Sequence, residues 1–400
     1  MLQAKYLKSK ILFNFSLLLA GKKSSANWHE EKYGLKEVKI SNSKLSLELE
    51  QACQKDGFLL FSEYLQIDQF GKNGFHATHK HHGEQPLHQY WGKALAKLCK
   101  TENIDNVIDF GAGNGNLGIY LLKNSQKLKH KVYWSGIEIN KNLRKIIQEK
   151  FEKEKLQKHL KQLVANENDI TDKTKSLVIF SFSLDNLPPE MFINTSTSLN
   201  YPTAIIGIEI KNGFAKELIL DEKQLTKKGL RLEKGILKQQ NGLEFNLTAW
   251  RLHPLQRACI PINAAVTMNK LVEKVSENSI FIIIDEFYPP PYNNIESHLN
   301  LPKDLSSYER LFSNTQKLYQ SSGENLLYYP TFENTYEQIL KSLGFSNIKT
   351  AEEKTAAKIL KGKKIKEHSY GLCLAIKGVK LNPQVAQIII GSFSKLVNLA

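Results

Sequence analysis

The stretch Asn106–Leu122, N-V-I-D-F-G-A-G-N-G-N-L-G-I-Y-L-L, constrains the fold of this chain more than any other. A short run at Val107–Phe110 reads as a β-strand, a turn follows through Gly111, Gly113 and Gly115, and Leu117, Ile119, Leu121 and Leu122 continue at helical spacing. Glycines are needed in such a turn because the backbone must reverse sharply and let a ligand approach with no Cβ in the way. A strand feeding a helix through a ligand-sized turn predicts an α/β fold, a doubly wound Rossmann-like sheet. The spacing is G-x-G-x-G, not the G-x-G-x-x-G of dinucleotide sites.

The next segments extend that pattern. Val132–Ile139 reads as a second strand, and Glu138 near its end lies 23 residues after Gly115. An acid at that place accepts hydrogen bonds from both hydroxyls of a ribose. A charged helix is expected from Lys141 to about Val164, its E-K-F-E-K-E-K run a solvated face with i,i+4 pairs. Asn168-Asp169 after it either cap the next element or face an adenine amino group. Leu177–Ser183 is nearly all apolar, as a buried parallel strand requires, and opens into Leu184-Asp185-Asn186-Leu187-Pro188-Pro189. Polar residues at the carboxyl end of a central strand are where open α/β sheets hold ligands.

Around this core, Leu45 to about Gln69 is helical in pattern with a break at Asp56-Gly57, and Pro86–Lys100 reads as an amphipathic helix. Ala204–Ile210, Lys216–Leu220, Leu232–Leu237 and Leu243–Ala249 read as short strands with turns at Asn212-Gly213 and Asn241-Gly242, an antiparallel insertion. A helix at about Ala264–Val275 and a strand at Ile280–Asp285 restore the alternation. A helix at Glu333–Leu343 then leads to a closing pair, Asn347–Thr350 and Gly371–Lys377. Pro289-Pro290-Pro291-Tyr292 is either a stiff loop over the strand end or a polyproline ligand for a small partner domain. The expected divisions are an N-terminal segment 1–44, a helical lead-in with a histidine loop 45–100, a cofactor-binding half 101–202, an insertion 203–262 for substrate or partner, and a C-terminal half 263–400.

Of the 400 residues, 55 are basic and 40 acidic, a formal charge of +15 that suits nucleic acid, an anionic membrane surface or an acidic protein. Only Arg144, Arg231, Arg251, Arg257 and Arg310 carry the guanidinium fork used in base readout, which weighs against sequence-specific nucleic-acid binding. Cys53, Cys99, Cys259 and Cys373 are far apart, so no disulfide framework is indicated and a reducing, cytoplasmic setting is expected. Lys5, Lys8 and Lys10 precede an apolar run, Ile11–Ala20, too short to span a membrane. It is either an amphipathic helix packed on the body or a targeting segment, which would direct the chain to the mitochondrial matrix. His76, His79, His81, His82 and His88 crowd one loop, but their spacing matches no zinc scheme, and no metal site is expected.

V-I-D-F-G-A-G-N-G, G-I-E-I-N and S-L-D-N-L-P, in that order after strands, resemble the class I S-adenosylmethionine-dependent methyltransferases over about Asn106–Lys380. The resemblance implies S-adenosylmethionine as cofactor. Asp109, Gly111, Gly113 and Gly115 would lie against its methionine part, Glu138 would hold its ribose, and Asp185 and Asn186 would border its methyl group. A closer resemblance is to the MidA family, whose mitochondrial members methylate an arginine on a respiratory complex I subunit. It rests on the helical lead-in, Gly74-Phe75 and Thr78, the L-D-N-L-P turn, the strand insertion and I-I-I-D at Ile282–Asp285. It implies a protein substrate with an arginine-type nitrogen, oriented by a carboxylate. Asp185 is the first candidate for that carboxylate and Glu84 the second. Ser181 and Phe182 stand where that family usually carries Asn-Glu, which keeps open a non-catalytic assembly protein that retains the cofactor fold. A nucleic-acid methyltransferase is the other alternative, from the charge and the passing likeness of Asn186-Leu187-Pro188-Pro189 to an N-P-P-aromatic turn.

Overall fold

The computed structural model describes residues 35–75 and 88–288, apart from 172, 182, 249–251 and 253, and beyond these 315–320, 322–323, 331–332, 339–340, 343, 345–351 and 370–377. In chain order, strand β1 (Glu37–Lys39) is followed by helix α1 (Ser43–Gln54), β2 (Leu59–Leu60), α2 (Phe61–Phe70) and α3 (His88–Glu102). The central unit runs β3 (Asn106–Phe110), α4 (Asn116–Lys127), β4 (Tyr133–Ile137), α5 (Lys141–Lys153), β5 (Leu160–Val164) and β6 (Ser176–Ser181). Next come β7 (Glu190–Ile193), β8 (Ala204–Lys211), β9 (Phe214–Ile219), α6 (Glu222–Lys227), β10 (Leu230–Glu233), β11 (Ile236–Gln239), β12 (Glu244–Asn246) and β13 (Arg257–Ile260). Helix α7 (Ile262–Lys274), β14 (Ile280–Tyr288), α8 (Thr315–Gln320), β15 (Thr331–Phe332), β16 (Phe345–Ala351) and β17 (Tyr370–Lys377) complete the described elements.

The largest sheet has the order β16-β17-β14-β6-β3-β4-β5, with β15 beside β14. The pairs from β5 to β14 are parallel, and β17 closes the sheet antiparallel between β14 and β16. Alternate residues of the central strands enter opposite cores, as a period of two demands. Val107, Leu177, Ile179 and Ile282 join one core with Trp91 and Leu95 of α3, Leu121 of α4 and Phe151 of α5. Ile108, Val178, Phe180 and Ile283 join the other with Met268 and Leu271 of α7. Helices on both faces of a parallel sheet are the doubly wound architecture expected from the sequence.

The remaining strands form two antiparallel sheets. One has the order β1-β9-β8-β7-β13 with β2 beside β8, and the other is β10-β11-β12. The Asn212-Gly213 turn that joins β8 to β9 has φ of +52° and +80°, the two left-handed positions of a tight hairpin. Helix α1 and helix α2 pack on the larger of these sheets through Leu45, Leu49, Phe61 and Leu65.

Two sequence expectations are corrected. The helix from Lys141 stops at Lys153 rather than Val164, and Leu160–Val164 forms the edge strand β5. Lys155 takes a left-handed φ of +56° and buried Leu156 follows, so the helix ends in mid charge run without a Gly or Pro. Leu232–Leu237 is two strands, not one: Lys234 and Gly235, at φ +48° and +76°, turn the chain back between β10 and β11. The Pro289–Tyr292 segment, residues 1–34 and most of Glu333–Leu343 lie outside the described residues. Among the described residues no helix is long and apolar enough to cross a membrane.

Candidate active site

The chain runs outward from β3 through β4 to β5 and then crosses to β6 on the other side of β3. That reversal makes the carboxyl ends of β3 and β6 the topological switch point, where open sheets leave a crevice. Three loops meet there. The turn after β3 has Gly111, Gly113 and Gly115 at φ of +70°, +55° and +77°. A Cβ on Gly111 would stand 2.5 Å from the Cβ of Ser183 in the loop after β6, so only glycine lets these two loops close on each other. A Cβ on Gly115 would meet Ile147 of α5 at 3.0 Å.

The loop after β4 is tied to the same turn. Glu138 is 7% exposed, and its carboxylate accepts the Gly113 amide on Oε2 at 2.8 Å and the Asn140 amide on Oε1 at 2.8 Å. Each oxygen retains acceptor capacity for one more donor. Burial raises its pKa, opposed by those two amides and by the Arg144 guanidinium, which also donates to the Glu138 carbonyl. Asn140 caps α5 through the Asn142 and Leu143 amides. Ile139, beside Glu138, is 55% exposed, an apolar side chain that the sequence patterns did not single out.

Several buried polar atoms in this region have no partner among the described residues: Asp109 Oδ2 on β3, Ser181 Oγ at the end of β6, Ser183 Oγ, and His88 Nδ1 at the start of α3. Burial, opposed by the Trp134 indole N–H and helped by the charge of Glu138, pushes the Asp109 carboxyl up to about 7. Burial, then the charge of Lys150, pushes His88 down to about 4, so its ring is neutral. Lys150 itself reaches Asn116 Oδ1 at 2.8 Å, directly after the glycine turn. His88, grouped by sequence with the histidine loop, is therefore a neighbour of the charged group that follows this turn. Buried polar groups are nearly always hydrogen-bonded in a complete site. These orphans, a glycine cradle and a half-engaged carboxylate fit a polar ligand that carries a ribose.

The remaining candidates divide. Asp185 and Asn186 lie in a single 3-10 turn, Leu184–Asn186, that follows Ser183, and the Asn186 amide donates to the Ser183 carbonyl at 3.3 Å. Asp169 is exposed in the turn after β5, whose cap is the side chain of Asn166; the neighbouring Glu167 and Asn168 carbonyl are held by Lys270 and Lys274 of α7. Glu84, His76, His79, His81 and His82 fall outside the described residues. Among the described residues no three His, Cys, Asp or Glu side chains are grouped to hold a metal.

Residues 79–254 match a family model described as a methyltransferase domain. Two solved structures from Burkholderia thailandensis are similar over 84% of this chain and 92% of theirs. One is an uncharacterized protein at 13% identity and a TM-score of 0.55. The other, of the same superfamily and bound to S-adenosyl-homocysteine, is at 14% identity and a TM-score of 0.55. No curated protein matches the sequence. Residues 79–254 thus resemble a methyltransferase domain, and the chain shares the Rossmann-like fold of the S-adenosyl-homocysteine-bound structure.

Proposed function

We propose that this protein transfers the methyl group of S-adenosylmethionine to a nitrogen of a protein side chain, of arginine type. The observation that carries the cofactor part is the Glu138 carboxylate, fixed by the Gly113 and Asn140 amides with an acceptor position left on each oxygen for the ribose hydroxyls. Gly111, Gly113 and Gly115 bring backbone against the methionine end, and Asp109, Ser181 and Ser183 supply polar atoms in need of partners. The exposed Ile139 covers a face of the adenine, and Asp169 is a secondary contact to the same base.

A sulfonium methyl is already activated when the cofactor is bound. The chain's own work is to hold the acceptor in line, exclude water and receive a proton. Asp185 orients the acceptor nitrogen and steers its proton away, and Asn186 borders the same position. Glu84 is the second carboxylate for that role. The acceptor class rests on the MidA resemblance: the helical lead-in, the L-D-N-L-P turn and the strands between β6 and β14 follow one another in that family's order. The proposed division of labour gives residues 101–202 the cofactor, 203–262 the partner, and 45–100 and 263–400 the frame.

The test is transfer of labelled methyl from S-adenosylmethionine into whole lysate, with the product sorted by protease and nuclease. Label that protease releases and that appears as methylated arginine supports the proposal. Nuclease-sensitive label would replace it with a nucleic-acid acceptor. Cofactor binding without transfer to any fraction would replace it with an assembly protein.

A further inference from the structure

Helix α2, the small sheet β10-β11-β12 and the start of α7 border a cavity of about 550 Å³, the size of small-ligand sites. Part of its lining is apolar, with Leu230, Leu237 and Ile262 from three separate elements. The polar part has a sign. Asp56, Glu63 and Glu190 bring three carboxyl groups, against Lys228 and the exposed Lys55.

Lys228 is already committed. Its side chain is 9% exposed and its ammonium lies 2.8 Å from both Asp56 Oδ2 and Glu63 Oε2. Glu190 is different: it is 3% exposed, and its direct partners are the hydroxyl and amide of Ser62, which donate without neutralising a charge. Burial, with the charge of Glu63 added, pushes its carboxyl up to about 7 in spite of the Ser62 bonds and the charge of Lys228, so a further cation beside it would complete its ionisation. The cavity thus joins an under-compensated acid to an apolar wall.

We propose that this cavity binds an organic cation with an aliphatic body, an alkylammonium ion whose head pairs with Glu190 and whose chain lies on Leu230, Leu237 and Ile262. None of Gly111–Gly115, Glu138 or Asp185 lines it. An anion is disfavoured because Lys228 is held by Asp56 and Glu63 and the lining brings three carboxyl groups against two ammonium groups.

Titration calorimetry on the full chain without cofactor tests this with hexylammonium chloride, 1-hexanol and sodium hexanoate. Hexylammonium is expected to bind at least tenfold more tightly than hexanol, with hexanoate weakest. Glu190→Gln keeps an acceptor for Ser62 but removes the ionisable group, and should lower hexylammonium affinity at least fivefold. Gln66→Lys, at an exposed lining position, adds a repelling charge without touching the core and should lower it in the same direction. Equal binding of hexanol, tighter binding of hexanoate, no binding of any probe, or unchanged affinity in Gln66→Lys overturns the proposal. If Glu190→Gln does not fold, Gln66→Lys decides alone.

Discussion

Glu138 concentrates the candidate site in one side chain. Truncating it to alanine removes the ribose acceptor and releases the Gly113 and Asn140 amides together. Bonds to a charged group are worth about 1.5–3 kcal/mol, so S-adenosylmethionine affinity in Glu138→Ala should fall at least tenfold, or about 1.4 kcal/mol. Calorimetry on a folded variant checks it, and unchanged affinity would remove the ribose assignment. Asp185 makes the complementary case. Asp185→Asn keeps the shape and turn-forming ability of the residue, so cofactor affinity should hold while methyl transfer falls by about 10²–10⁴. A variant that transfers at the parent rate would show that the carboxylate does not act on the acceptor. Gly111→Ala belongs to stability instead. With φ at +70° and Ser183 2.5 Å from the new Cβ, it should lose roughly 2 kcal/mol in urea unfolding, chiefly from strain between the two loops.

At the scale of elements, the hydrophobic signals that were long or strictly alternating could be read from residues alone. The turn after β3 was legible because three glycines interrupt an apolar strand and an apolar helix, and β6 and β14 because Val178–Phe180 and Ile280–Ile284 are unbroken. Edge strand β5 was not, because Leu160-Lys161-Gln162-Leu163-Val164 is short and half-buried, and the charged helix before it has no sequence stop. Strand β7 pairs with β13, about 65 residues further along the chain, a contact that no local pattern encodes. In the candidate site, Glu138 and the glycines were visible from spacing, whereas the orphaned Ser181, Ser183 and His88 became visible only when the strand ends were brought together. One element-level consequence is measurable. Asn140 caps α5 while its own amide holds Glu138, so Asn140→Ala should cost about 1 kcal/mol of stability with a smaller loss of cofactor affinity than Glu138→Ala.

Across the whole molecule, a buried polar network joins the lead-in to the segment beyond β14. Asp68 of α2 accepts the Gly323 amide at 2.8 Å and the Gln69 side chain at 2.6 Å, and Tyr64 bonds Ser322. Tyr319 and Arg257 both reach Glu217 of β9 at 2.9 Å. Burial pushes the Asp68 carboxyl from 3.8 up to about 7. Between those values the folded chain keeps a proton that the unfolded chain has lost, so stability falls as pH rises through that window and levels off above it. Asp68→Asn removes this dependence while keeping an acceptor for Gly323. Its melting temperature should therefore gain on the parent's by a few degrees between about pH 5 and about pH 8. A difference that stays constant with pH would show that Asp68 ionises normally.

Strand β1 also sets the order in which the molecule can be finished. Its partner is β9, and the Lys36 amide closes on Glu217, 181 residues later. A ribosome adding roughly 5–20 residues per second needs about 10–35 s to supply that partner. For that interval Val38 and Ile40, buried in the finished fold, have no sheet to enter. Birth of the protein thus includes a waiting period in which the first described strand is an unpaired edge, open to capture by a chaperone or by another nascent copy.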